Sequence, residues 1–252
     1  MNNIKLVIEY DGTNYAGWQQ QKKEKTVQET LKIAIEKVVN EKITLRGAGR
    51  TDAGVHALGQ VANFKIKSTI PTSKLVQAIN FYLPKDIVVK SIKKVSEKFH
   101  SQYSAKSKIY RYTILNNNIG SAINRNFCHH YNGDLNIEKM QKASKILIGR
   151  HDFSVFKSKS NNTCPTKSFR RESNIRTIKR LEIKKKGKYL LFTIEADGFL
   201  YKMVRSIVGT LLGVGREKMT IKEFKRVLKS RSRSLAGATV PARGLCLLRV
   251  KY

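Results

Sequence analysis

Acidic residues are scarce in this sequence: 18 Asp and Glu stand against 50 Lys and Arg, giving a net charge of +32 and a pI near 10.2. A chain this cationic repels itself unless a polyanion offsets the charge, so nucleic acid is the leading partner. An anionic membrane surface would also neutralise it, but long apolar runs are missing. The most apolar stretch, Ile207 to Val214, follows Arg205 and falls far short of the roughly 20 residues of a spanning helix. Cysteine is sparse too. Cys128, Cys164 and Cys246 are odd in number, far apart and without a CxxC, which argues against a disulfide framework or a zinc site and suits a reducing, cytoplasmic setting. The alternation Ile4, Leu6, Ile8, Tyr10 starts almost at Met1, so no signal or transit peptide is expected. What remains is the composition of a folded, water-soluble protein, with 40% hydrophobic and 27% charged residues, and 252 residues suffice for one large domain or two small ones.

Periodicity arranges those residues. After the first strand, Thr26-Val-Gln-Glu29 reads as a capping box opening a helix with Val27, Leu31, Ile35 and Val38 on its apolar face. Ile43 to Arg46 and Gln60 to Ile66 are short strand candidates, Thr72 starts a second helix that ends before Pro84, and Ile87 to Val95 is again strand-like. The order β-α-β-β-α-β is the ferredoxin-like arrangement. The second half repeats it in outline. Lys108 to Leu115 is a strand, Asn136 caps a helix that Gly149 ends, and Ile178 to Lys184 pairs with Tyr189 to Glu195 through Lys-Lys-Gly-Lys. Leu200 to Leu212 and Thr220 to Lys229 are helices, and Leu245 to Val250 closes the half as a strand. The expected fold is α+β: two ferredoxin-like halves, residues 1–104 and 105–252, whose mainly antiparallel sheets join across a central basic cleft.

Two loops are longer than compact domains usually carry. One runs from Lys157 to Asn174, rich in Lys, Arg, Ser and Asn, and reads either as a surface insertion or as a basic flap over RNA. The other, Gly47 to Gly59, packs four glycines around Arg50, Thr51, Asp52 and His56. Glycines there let a charged residue sit at the lip of a cleft, although spacing alone is equally satisfied by a structural Arg50–Asp52 pair in a tight turn. His56 and the His129-His130 pair lack metal-ligand spacing and read as loop residues.

The segment GAGRTDAGVHALGQVANF resembles the hallmark motif of the tRNA pseudouridine synthase A family. IEYDGTNYAGWQQQ, TVQETL, FHSQYSAKSKIYRYTI, LIGRHDFSVF, ADGFLYKMVRSIVGTLLGVG and PARGLCLLRVKY are similar to that family's segments in the same order, so the resemblance spans nearly the whole chain. It implies that Asp52 is the catalytic nucleophile, which attacks the target uridine so that the base can detach, rotate and rejoin the ribose through carbon 5. Covalent catalysis by a carboxylate splits one difficult step into two. By the same resemblance Arg205 pairs with Asp52 and favours its charged form. Tyr110 stacks on the target base and assists proton removal from carbon 5, and Arg50 fills the space left by the extruded nucleotide. Tyr112 shares the face of Tyr110 and reads as strand packing, with Arg111 on the other side. Arg176, beside the basic loop, is a candidate phosphate contact. No cofactor and no metal are implied; tRNA is the partner, with uridines 38, 39 and 40 of the anticodon arm as targets and a homodimer as the working form. Gln102 stands where the family usually has a basic residue, and Cys246 where an aromatic is common. Two rivals remain at this level: a non-catalytic RNA-binding protein, and a pseudouridine synthase acting on another RNA.

Overall fold

The computed structural model describes residues 1–68, 70–158 and 173–252. Among them the elements follow in the order β1 (Asn2–Tyr10), α1 (Val27–Val39), β2 (Arg46–Gly47), β3 (His56–Ile66), α2 (Thr72–Tyr82), β4 (Ile87–Val95), β5 (Ser107–Asn116), β6 (His129–Tyr131), α3 (Ile137–Lys145), β7 (Gly149–Asp152), β8 (Ile175–Lys186), β9 (Tyr189–Ala196), α4 (Met203–Gly215), α5 (Ile221–Ser230) and β10 (Leu245–Lys251). The architecture is α+β with mainly antiparallel pairing. Two compact units emerge, Met1–Ile109 with Leu245–Tyr252, and Tyr110–Gly244. The last strand thus belongs with the first unit, whereas the sequence expectation placed it with the second half.

In the first unit the sheet order is β4-β1-β3-β10, with β2 on β3. The alternation in β1 works as a strand should: Ile4, Leu6, Ile8 and Tyr10 are all buried on one face. This strand is antiparallel to β3, with Leu6 opposite Ala62, and to β4, with Leu6 opposite Ile92. β10 runs parallel to β3, Cys246 opposite His56. Helix α1 starts where the Thr26 hydroxyl accepts the Glu29 amide, buries Val27, Leu31, Ala34 and Ile35, and ends at Asn40 in the left-handed region. Helix α2 buries Leu75 and Ile79 and is tied to β4 by Asn80, whose side chain donates to the Val89 carbonyl and accepts its amide, at 3.0 and 2.8 Å. Of the strand expected over Ile43 to Arg46, only Arg46 pairs. The Ile43 amide donates instead to the Glu36 carboxylate at 3.0 Å, which draws this stretch toward α1.

In the second unit the order is β5-β9-β8-β7, with β6 parallel to β5. β8 and β9 form a hairpin in which Lys186 faces Tyr189, turning through Gly187 at φ +57°. Helix α4 buries residues on most of its circumference, among them Met203, Val204, Ile207, Val208 and Leu211, as a central helix does. Helices α3 and α5 pack against it. Helix α4 begins at Met203, later than the expected Leu200, because Lys202 is left-handed at φ +59°. Gly149 opens β7 and does not end α3, which stops at Lys145. The basic loop read from Lys157 to Asn174 lies largely, over residues 159–172, outside the described residues.

Candidate active site

Asp52 sits on the connection from β2 to β3, and the segment between β1 and α1 splints that connection on both sides. Ahead of Asp52, the buried Thr51 hydroxyl meets the Tyr10 hydroxyl at 2.8 Å, and the Trp18 amide donates to the Thr51 carbonyl at 3.1 Å. Gln60, fully buried in β3, donates to the Gly49 carbonyl at 2.9 Å. Behind it, the Gly54 amide reaches the Tyr15 carbonyl at 3.3 Å, while the Val55 amide closes a turn onto the Asp52 carbonyl at 3.2 Å. The two strands of this splint approach so closely that side chains are excluded at two positions. A Cβ on Gly12 would lie 2.0 Å from the Val55 carbonyl oxygen, and Gly17 holds φ +98° with the Thr51 carbonyl 2.5 Å from where its Cβ would be. Asp52 is left half-buried on a fixed backbone. Arg50, two residues away, is exposed, and its Nε donates to the Gln19 side chain at 3.2 Å.

Burial drives the Tyr10 hydroxyl well above its ordinary pKa in spite of its bonds to Thr51 and Gln60, so at neutral pH it is a neutral donor. Thr51→Val keeps the shape of residue 51 and deletes this contact. We expect it to cost about 1 kcal/mol, the net worth of a buried hydrogen bond whose partner keeps a second contact. Urea unfolding of the variant checks this; an unchanged midpoint would show that the Tyr10 hydroxyl needs no partner at Thr51.

His56 departs from its reading as a loop residue. It opens β3, is 5% exposed, and its Nδ1 accepts the Gly12 amide at 3.1 Å. An Asp11 carboxylate oxygen lies 3.0 Å from the same nitrogen. Burial raises the Asp11 carboxyl, but it is held below the usual carboxylate range, with bonds from the Thr13 hydroxyl and amide the largest of the opposing influences. Nothing in the spacing singled out His56. The close approach of Gly12 that makes it matter is a tertiary contact.

The second unit carries Tyr110, Arg205 and Arg176. Tyr110 is 7% exposed on β5, its ring meeting Phe199 edge-on at 5.1 Å between centroids. Tyr112 lies two residues on, fully buried, with its hydroxyl donating to the Pro241 carbonyl at 2.8 Å; strand packing is its role. Burial raises the Tyr112 hydroxyl's pKa against the pull of Arg205 and Arg243, which places both cations in its neighbourhood. Arg205 stands in the first turn of α4, half-buried, with its Nε donating to the Val240 carbonyl at 2.8 Å. The strap 236–241 is seated on the same helix: the Gly237 amide donates to the Thr210 hydroxyl at 2.9 Å. Arg176, on β8, is occupied by its own backbone, donating to the Ser173 and Ile175 carbonyls at 2.6 and 2.7 Å. Asp52 and Arg50 therefore lie in one unit and Tyr110, Arg205 and Arg176 in the other, where the Arg176 side chain abuts Gly198, next to the Phe199 that packs on Tyr110. Among the described residues no three His, Cys, Asp or Glu side chains gather as a metal site requires.

A family model described as tRNA pseudouridine synthase matches residues 6–104 and 143–252. The proteins named tRNA pseudouridine synthase A from Thermoanaerobacter sp. strain X514, Acetivibrio thermocellus and Clostridium acetobutylicum are 50%, 47% and 45% identical, each aligned over 100% of this chain and 100% of their own. Among solved structures, the archaeal box H/ACA sRNP Nop10-Cbf5 complex aligns with 92% of this chain and 59% of its own at 13% identity and a TM-score of 0.37. With a family match over most of its length and full-length relatives at this identity, the chain belongs to the tRNA pseudouridine synthase family, a family of isomerases.

Proposed function

We propose that this protein isomerises uridine to pseudouridine at positions 38, 39 and 40 of the tRNA anticodon stem-loop, with Asp52 as nucleophile. The observation that carries the reading is the splint around Asp52: contacts at Thr51, Gly54 and Val55 fix the backbone on both sides of a carboxylate that stays half-buried. Preorganisation of this kind is what a nucleophile needs. In the reaction the ribose–N1 bond breaks and a ribose–C5 bond forms; C5 loses its proton and N1 gains one, so nothing is released. Arg205 pairs with the attacking carboxylate. Tyr110 stacks on the base and assists removal of the C5 proton. Arg50 enters the space the flipped uridine vacates, a role that suits an exposed, planar cation whose Nε donates to Gln19. Arg176 contacts a phosphate on exchanging its backbone partners. The catalytic loop belongs to the first unit, and Tyr110 and Arg205 belong to the second. The working form is a homodimer in the cytoplasm, and the charge of +32 supplies the field that gathers tRNA.

Unmodified tRNA transcripts with uridine at 38, 39 or 40 test the proposal. After incubation with the protein, carbodiimide-dependent reverse-transcription stops should appear at those positions and not in transcripts carrying cytidine there. Tight, salt-sensitive binding without stops would overturn it in favour of another RNA substrate or a non-catalytic binder.

A further inference from the structure

We infer that His56 is a positioning residue for this reaction: its imidazole Nδ1 locks the Asp11–Gly12 turn to the downstream arm of the Asp52 loop. The inference rests on the reading of Asp52 as nucleophile.

The Gly12 hydrogen is fixed by its backbone and points at Nδ1 from a nitrogen 3.1 Å away. Nδ1 must then offer its lone pair, which puts the ring proton on Nε2. The Asp11 carboxylate, 3.0 Å from the same nitrogen, competes for it, and a neutral ring cannot serve both. The amide has no freedom to turn away, whereas Asp11 already accepts from the Thr13 amide at 2.9 Å and hydroxyl at 2.6 Å. The amide therefore keeps the ring. This contact has a mechanical consequence for residue 52. The upstream arm of the loop is held by Tyr10 and Trp18 through Thr51, independently of His56. The downstream arm, Ala53 to Val55, is pressed against Gly12 so closely that no Cβ fits between them, and His56 supplies the polar bond at that approach. Without the bond, the Gly12 amide is left buried against the loop and the arm shifts to relieve it, carrying the Asp52 carboxylate with it. Displacing a reacting group by about 1 Å costs on the order of 100-fold in rate without touching the substrate.

Three variants separate positioning from packing. His56→Asn places a side-chain oxygen where Nδ1 lies, His56→Gln places one where Nε2 lies, and His56→Leu offers neither. In single-turnover assays on tRNA, His56→Gln and His56→Leu should lose roughly 100-fold in rate with the tRNA Kd changed less than about threefold, and His56→Asn should recover to within about tenfold of the wild type. Equal rates for His56→Asn and His56→Gln, or a loss confined to Kd, would overturn the inference. A wild type that makes no pseudouridine would sink the proposed function, and the lock would then be decided on the wild type by the labelling below. Should the variants fail to fold, the wild type itself decides: selective 15N-histidine labelling should show Nδ1 of His56 unprotonated and Nε2 protonated, and a protonated Nδ1 would refute the lock.

Discussion

Purified Asp52→Ala should bind the same tRNA transcripts as the wild type and form no detectable pseudouridine, a loss of at least about 10⁴-fold, as when a covalent nucleophile is removed from an enzyme. The structure makes this variant a clean one. The turn that carries the residue is closed by the Asp52 carbonyl, which accepts the Val55 amide at 3.2 Å, and the flanking positions are held through Thr51 and Gly54. The carboxylate itself supplies none of those bonds, so truncation leaves the loop on its splint. Asp52→Asn should behave in the same way, because an amide of the same shape is not a nucleophile toward the ribose. Rates from single-turnover incubations, set beside filter-binding affinities, give the comparison. Turnover within 100-fold of the wild type would assign the attack to another group; parallel loss of binding and rate would turn Asp52 into a structural residue.

Much of the fold is readable from periodicity, and the exceptions have physical causes. The β1 alternation and the apolar face of α1 are strong because each buries one face only: Ile4, Leu6, Ile8 and Tyr10 in the first, Val27, Leu31 and Ile35 in the second. β6 and β7 escape notice because His129–Tyr131 and Gly149–Asp152 are too short and too polar to carry a period, and their pairing comes from neighbouring strands. The strand read over Ile43 to Arg46 fails the other way, pairing only at Arg46. Ile43 and Leu45 look like strand residues and are buried, but Glu36 captures the Ile43 amide that a ladder would need. The start of α4 depends on a left-handed lysine, which no propensity would place there.

The site divides along the same line. Asp52, Arg50, Tyr110 and Arg205 stand out through motifs, and motifs report chemistry. The residues that hold the Asp52 loop, Tyr10, Gly12, Gln60 and His56, are legible only in three dimensions. Gly12 looks like any turn glycine until the Val55 carbonyl is seen 2.0 Å from its missing Cβ. His56 looks like a polar loop residue until it is buried with its nitrogen on that glycine's amide. The contacts of Tyr10 with Thr51 and of Gly12 with His56 join residues more than 40 positions apart and leave no local trace in the sequence.

Arg205→Ala should cost far more activity than stability, and the helix that bears it shows why. A cation in the first turn faces the positive end of the helix dipole, an unfavourable placement of about 0.3 to 1 kcal/mol. Helix α4 has no acidic residue in that turn to compensate and no side-chain cap, and it is preceded by Lys202 in a left-handed conformation. A sequence selected for stability alone would not put arginine there. Against the dipole stands the bond from Nε to the Val240 carbonyl at 2.8 Å, a contact from a charged donor worth about 1.5 to 3 kcal/mol when sheltered and less for a half-buried group. The dipole offsets part of that bond, so Arg205→Ala should lose only about 1 to 2 kcal/mol of stability in urea unfolding. The rate is another matter. If the guanidinium pairs with the attacking carboxylate, its loss should lower the single-turnover rate by roughly 10²- to 10³-fold, the effect of deleting one preorganised charge-stabilising donor. Arg205→Lys discriminates further. Lysine restores the charge but cannot hold Val240 with one nitrogen and reach a carboxylate with two others, so it should regain stability of charge without regaining most of the rate. An alanine variant as active as the wild type would reduce Arg205 to a tether for the 236–241 strap. A lysine variant of full activity would show that the charge alone suffices, and that the bond from Nε to Val240 serves the fold and not the reaction.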